Sequence, residues 1–213
     1  MTDEKRYFLS NVKIIFSPQE KQGKNDHILQ ALTAFGVKYE KLYAPNDLKQ
    51  GDYTFVIDGK DYRNEFLIER KFGLEELDKC LTDRNIDTKA KQKLASVHQS
   101  VGADKLRDNL EAEFVRMLAI GVKEKWLFIE NCPSFESIRH YTNGYERRSQ
   151  TAGQRIYATI SSWSCANRYD FRVACLPNKA DFAPVMLSKM FYFWRNSQKR
   201  QLGQNFLRKL KTK

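Results

Sequence analysis

Apolar residues fall in short blocks along the chain, and the blocks switch between the period of a strand and that of a helix. Residues 12–16 (VKIIF), 37–43 (VKYEKLY), 53–57 (YTFVI) and 65–71 (EFLIERK) read as strands, as do 126–129 (WLFI) and 171–176 (FRVACL). Residues 26–35 (DHILQALTAF) read as a helix with Ile28, Leu29 and Leu32 on one face, stopped by Gly36. Helical spacing returns over 73–81, over 110–120 with Phe114, Met117 and Leu118 in phase, and over 152–163. An aromatic-rich helix follows at 184–194, with Met186, Met190, Phe191 and Trp194 as its stripe. The alternation predicts an α/β fold in which helices flank a central mixed sheet.

Two stretches break the pattern. Residues 85–109 are polar and Lys-rich with few large apolar side chains, and are expected to be a mobile, mostly solvated insertion. Residues 195–213 carry seven Lys/Arg and no acid, a basic C-terminal tail to a single domain over 1–194.

With 41% hydrophobic and 13% aromatic residues, the 213-residue chain can fill a core, which excludes wholesale disorder. Mean hydropathy is −0.64, and the longest apolar run, 184–194, is split by Lys189 and too short for a membrane span. The charged start lacks an apolar signal core, so a cytoplasmic location is expected. The four cysteines form no CxxC pair and no ligand spacing with the three histidines, so structural zinc is not expected. A net charge of +11 changes the picture more, because it suits a polyanionic partner such as nucleic acid. No Gly-rich phosphate loop occurs, so no nucleotide cofactor is implied.

The candidate chemistry lies in Gly51-Asp52-Tyr53 and Glu69-Arg70-Lys71. Strand side chains alternate, so Glu69 and Lys71 share one face while Arg70 points to the other. Asp52 heads the preceding strand, and the turn composition Asp58-Gly59-Lys60-Asp61 joins the two. If the turn centres between Lys60 and Asp61, Asp52 faces Glu69. If Asp58-Gly59 is a two-residue turn, Asp52 faces Glu65 and Glu69 lies four residues beyond. The composition leaves both registers open. Two carboxylates at one strand end repel in water-poor surroundings, and a divalent cation relieves the repulsion. Oxygen donors without His or Cys point to Mg²⁺ or Mn²⁺. A neighbouring ammonium steadies an attacking water and the charge that builds on a phosphate. The plainer reading is a surface ion-pair cluster.

These strings resemble the ERCC4 family of nuclease domains, the XPF/Mus81/Hef-type branch of the PD-(D/E)XK nucleases. That family carries GD, then ERK, then an acid; here they are Gly51-Asp52, Glu69-Arg70-Lys71 and Glu75, which stands where Asp is usual. The order of elements matches from about residue 13 to 131, with Arg84 and Arg116 at arginine positions. Two departures stand out. Ser17-Pro18-Gln19-Glu20 replaces the family's D-x-R-E, and no tandem helix-hairpin-helix follows. The resemblance implies a restriction-endonuclease-like αβββαβ core in a compact version of bacterial or phage type. It implies a metal-dependent DNA endonuclease selective for flapped, forked or branched DNA, acting in DNA repair or recombination.

Within that resemblance, Asp52 and Glu69 hold the metal with the backbone carbonyl of Arg70, Lys71 positions or helps deprotonate the water, Glu20 shapes the outer shell, and Arg70 and Glu75 support the site, Glu75 by bonding Lys71 or the metal's waters. Glu20 as a helix cap, Glu75 as a helix N-terminal charge and Arg70 as a structural ion-pair partner are the alternatives. Arg84, Arg116, Arg147, Arg148 and Arg155 are candidate DNA-backbone contacts, against a reading as solvated helix faces. Relatives work as dimers, so the stripe at 184–194 is either core packing or part of a homodimer interface. A non-cleaving DNA-binding scaffold that recruits a partner is the alternative function.

Overall fold

The computed structural model describes residues 1–17, 23–43, 48, 50–82, 109–143 and 152–211, without the side chains of 82, 109 and 202–211. The chain opens with helix α1 (Asp3–Asn11), capped by the Thr2 hydroxyl on the Lys5 amide. Strand β1 (Lys13–Phe16), helix α2 (Asp26–Ala34) and strand β2 (Lys38–Lys41) follow. Next come β3 (Tyr53–Ile57), the two-residue β4 (Lys60–Asp61), β5 (Phe66–Lys71) and helix α3 (Leu74–Thr82). Helix α4 (Asn109–Ala119), β6 (Glu124–Glu130), helix α5 (Ala152–Ser164), β7 (Phe171–Leu176) and helix α6 (Phe182–Lys211) complete the fold.

The strands form one mixed sheet in the order β2-β1-β3-β5-β6-β7, with β4 paired to β3. The middle pairings β1/β3 and β3/β5 are antiparallel, while β1/β2, β5/β6 and β6/β7 are parallel. The expected α/β architecture with a mixed sheet flanked by helices is therefore present.

Strand alternation splits the core into two layers. Ile14, Phe16, Tyr53, Phe55, Phe66, Ile68, Trp126 and Phe128 pack with Phe8 of α1, Ile28 and Leu32 of α2, and α6. Ile15, Leu67, Leu127 and Ile129 point the other way, against Leu77 of α3, Phe114 and Met117 of α4, and Ile156 and Ile160 of α5. The stripe Met186, Met190, Phe191 and Trp194 is buried in the first layer, so it is spent on the chain's own core.

The helix expected over 184–194 instead begins at Phe182 and runs unbroken to Lys211, so the basic tail is helical backbone over most of its length. Helix α1 was not expected; its sequence is mostly polar and Phe8 is its one buried residue. Residues 85–108 of the Lys-rich insertion lie outside the described residues, as do Glu20, Arg84, Arg147 and Arg148. No described helix is long and apolar enough to cross a membrane.

Candidate active site

Both turn registers left open by the sequence are used, one after the other. The two-residue turn Asp58-Gly59, with φ of 53° and 74°, pairs Ile57 with Lys60 and Val56 with Asp61. The chain then detours through Tyr62–Glu65, where Glu65 and Phe66 both donate to the Tyr62 carbonyl. When β5 rejoins β3, Tyr53 faces Ile68. That register sets Asp52 opposite Glu69. The detour shifts the pairing so that Asp52 and Glu69 take opposite positions on neighbouring strands, an effect that turn composition does not report.

Gly51 is required by two features. Its φ is +69°, a left-handed conformation that glycine adopts without penalty. A Cβ there would stand 3.2 Å from Met117 Cε, 3.3 Å from the Ile68 carbonyl oxygen and 3.4 Å from Leu67 Cβ. So α4 lies close over the turn that delivers Asp52. The Asp52 amide donates to the Ile68 carbonyl at 2.7 Å, and the Arg70 amide donates to Asp52 Oδ2 at 2.7 Å. The Ser17 amide donates to the Asp52 carbonyl at 2.9 Å, so β1 ends beside this residue.

On the face that looks toward α3 and α4, Lys71 Nζ donates to Glu69 Oε1 at 2.6 Å, and both side chains are largely buried. Burial acts to lower the Lys71 pKa, but the charges of Glu69 and Asp52 outweigh it and hold the amine well above its ordinary value. Lys71 is therefore an ammonium at neutral pH, bonded to Glu69 and further favoured by the charge of Asp52.

Arg70 crosses to the other face. Its guanidinium bonds both oxygens of the fully buried Glu130, Nε to Oε1 at 2.9 Å and Nη2 to Oε2 at 3.2 Å. It also donates to Asn25 Oδ1 at 2.5 Å and to the Lys24 carbonyl at 3.0 Å. His27 Nε2 lies 3.1 Å from Glu130 Oε1. Arg70 thus ties β5 to β6 and to the start of α2, rather than facing Glu69.

The remaining candidates sit apart. Glu75 is exposed and pairs with Lys79 one turn on at 2.6 Å, which holds its carboxyl below the usual range. Arg155 pairs with Asp78 of α3 at 2.5 Å. Arg116 pairs with Glu113 on α4. An open cavity of about 440 Å³ lies just past Lys71, lined by Lys24, Phe72, Glu75, Glu76, Lys79 and Asn131 among others. Lys179 stands 4.1 Å and Lys24 5.5 Å from the Phe72 ring centre, so cations gather beside the exit of β5.

Two acids escaped the sequence reading. Glu130 ends an apolar strand, and a charge in that position was a signal for a buried partner. Glu113 lies one turn before Met117 and three residues before Arg116; that spacing was visible, but nothing in the local string singled the acid out. Burial and then the Glu69 charge raise its pKa well above the carboxylate range, against the opposing pull of Arg116 and Lys71. Glu113 therefore shares the electrostatic neighbourhood of the Glu69–Lys71 pair.

Asp52 and Glu69 are the carboxylates that this arrangement offers to a cation. Their oxygen-only chemistry, and the buried Glu113 Oε2 without a hydrogen-bond partner among the described residues, fit a hard divalent ion. Among the described residues, no group of three or more His, Cys, Asp or Glu side chains is placed to hold a metal by itself. A cation here would rely on a few protein oxygens and on water.

Among solved structures, XPF from Aeropyrum pernix matches over 92% of this chain and 71% of its own, with a TM-score of 0.50 and 15% sequence identity. The chain shares the fold of XPF. A second structure, XPF from Aeropyrum pernix in complex with DNA, matches over 87% of this chain and 66% of its own, with a TM-score of 0.45 and 12% identity. No protein-family model matches the sequence, and no curated protein matches it. The likeness to XPF is thus one of fold, and the residues at the site must carry any argument about chemistry.

Proposed function

We propose that the protein is a divalent-metal-dependent endonuclease that hydrolyses phosphodiester bonds in DNA, with flapped, forked or branched duplexes as preferred substrates. The observation that carries this reading is the β3/β5 register. It sets Asp52 opposite Glu69, while strand alternation sets Lys71 beside Glu69 on the same face. The XPF fold agrees with it, and a net charge of +11 suits a polyanionic substrate.

In this reading Asp52 and Glu69, with the backbone carbonyl of Arg70, hold Mg²⁺ or Mn²⁺. When bound, the cation polarises the scissile phosphate and makes water more acidic. The chain's own groups do the rest. Lys71, kept charged by its two carboxylate neighbours, orients the attacking water and offsets the negative charge that grows on the phosphate. The water oxygen attacks phosphorus in line with the departing oxygen, which leaves with the bonding electron pair; the proton that the water gives up to solvent is matched by the one that the departing oxygen takes from it. Glu20 acts on the outer shell of the ion. Arg70 is a positioning residue, since its guanidinium is committed to Glu130. Arg84, Arg116, Arg147, Arg148 and Arg155 supply phosphate contacts, with Arg116 and Arg155 first released from their acids. A homodimer is a further part of the reading, but its interface lies elsewhere than on the buried stripe of α6.

The test is a panel of labelled duplex, flap, fork and four-way-junction DNA with Mg²⁺, Mn²⁺ or EDTA. The expected result is cutting in either metal, faster on the branched substrates than on duplex. Tight binding without cutting under either metal would instead support a scaffold that recruits a nuclease partner.

A further inference from the structure

We propose that Glu113 is a third carboxylate of the cation site, acting through its unpartnered Oε2 on the hydration shell of an ion held by Asp52 and Glu69. The inference rests on the two-carboxylate reading above. Its basis is the placement of α4. Met117 packs against Gly51, immediately before Asp52, and Glu113 lies one turn earlier on the same side of that helix. Arg116 occupies only one oxygen of Glu113. The other, Oε2, is buried without a hydrogen-bond partner among the described residues, and so is Arg116 Nε. The pair therefore does not saturate itself, and a buried carboxylate oxygen left unpaired is costly.

Glu69 adds a like charge on the sheet face that α4 covers, the face of Leu67 and Leu127. A hydrated divalent cation relieves both. Its water donates to Oε2, and its charge offsets the repulsion between the acids. Among the described residues no three acidic, His or Cys side chains are grouped to hold an ion, so the role proposed for Glu113 is through water and not by direct coordination. Strand alternation agrees: Glu69 and Lys71 face the α4 layer, whereas Arg70 and Glu130 face away from it.

The experiment measures Mn²⁺ affinity of the full chain by electron paramagnetic resonance, with melting temperature in EDTA beside it. Four proteins are compared: wild type, Glu113→Gln, Arg116→Met and Asp52→Asn. Glu113→Gln should weaken Mn²⁺ binding by about tenfold, in the range found for outer-shell partners. Its melting temperature in EDTA should equal or exceed that of wild type, since a like-charge neighbour of Glu69 is gone. Arg116→Met, which breaks the same ion pair but keeps the acid, should bind Mn²⁺ at least as tightly as wild type. Should Glu113→Gln fail to fold, Glu113→Asp takes its place, with an affinity between those of wild type and Asp52→Asn. Wild-type affinity in the Glu113 variant, with Asp52→Asn impaired, would overturn the role of Glu113 alone. Equal loss in Glu113→Gln and Arg116→Met would show that the pair is structural, which also overturns it. No Mn²⁺ binding by wild type would overturn the cation site itself.

Discussion

The two faces of β5 carry charges of opposite character. On one face Arg70 meets Glu130 in a two-point contact, with Asn25, His27 and the Lys24 carbonyl completing a network around a fully buried acid. On the other, Glu69 and Lys71 sit with Asp52 opposite and Glu113 near, and one buried carboxylate oxygen stays unpaired. Three consecutive residues feed both arrangements. A network that pairs each charge with an opposite one holds elements together. Among the described residues the other cluster holds more carboxylates than cations and leaves an oxygen over, which is what the proposed cation would satisfy. On that reading one side of the sheet is structural and the other carries the chemistry.

The largest effect should come from the chemical face. Asp52→Asn or Glu69→Gln should lower single-turnover DNA cleavage by about a thousandfold, as expected for losing several kcal/mol of charge stabilisation. The melting temperature of Asp52→Asn in EDTA should not fall much, since a repelling charge is removed and the amide oxygen can still accept from the Arg70 amide. Glu69→Gln leaves the buried Lys71 ammonium without its bonded carboxylate and should melt lower. A large loss of stability in Asp52→Asn would erase the contrast between the faces.

Next in size is the structural face. Arg70→Met leaves Glu130 buried without its main partner and should cost about 3–5 kcal/mol in urea unfolding. Wild-type stability with lost cleavage would move Arg70 to the chemical side.

A smaller effect tests the link between α4 and the Asp52 turn. Gly51→Ala forces a side chain into a left-handed conformation, a penalty of about 1–2 kcal/mol. It also presses on Met117 and the Ile68 carbonyl, so cleavage should fall with stability. Urea unfolding and cleavage assays of the same protein check both.

The smallest effect should come from Glu65, at the detour that sets the register. Lys60 lies 2.7 Å and Lys123 2.8 Å from its carboxylate. Burial acts to raise the Glu65 pKa, but the hydrogen bonds from Lys123 and Lys60 outweigh it and hold it below 4.5. A carboxyl with a depressed folded pKa stabilises the protein above 4.5 and loses that contribution as pH falls through its folded value. Glu65→Gln should therefore cost less than about 1 kcal/mol at neutral pH. The difference from wild type should vanish in strong acid, as read by urea unfolding at a series of pH values.

Much of this was legible in the sequence. Alternation along FLIERK places Glu69 and Lys71 together and Arg70 apart, and the apolar blocks mark six strands of the sheet. The Asp52–Glu69 pairing was only half legible. The Asp58-Gly59 turn fixes one register, and the four-residue detour through Tyr62–Glu65 replaces it, driven by buried contacts of Tyr62 that no local string records. Helix α1 was missed because a single buried phenylalanine gives no period. Glu113 and Glu130 were missed because an acid's burial depends on what another segment brings to it. Arg116 and Arg155 read as DNA-backbone contacts or solvated helix faces, yet each has an acid partner: Glu113 one turn back on α4, and Asp78, which only the packing of α3 against α5 brings to Arg155.

The most direct test of the central claim is cleavage of an end-labelled flap by wild type and Asp52→Asn, each in Mg²⁺, Mn²⁺ and EDTA. Circular dichroism and DNA binding on the same samples confirm that both are folded. The account predicts cutting by wild type in either metal, none in EDTA, and none by the variant under any condition. Cutting by wild type at full rate in EDTA, or by Asp52→Asn at the wild-type rate in Mg²⁺, would contradict it.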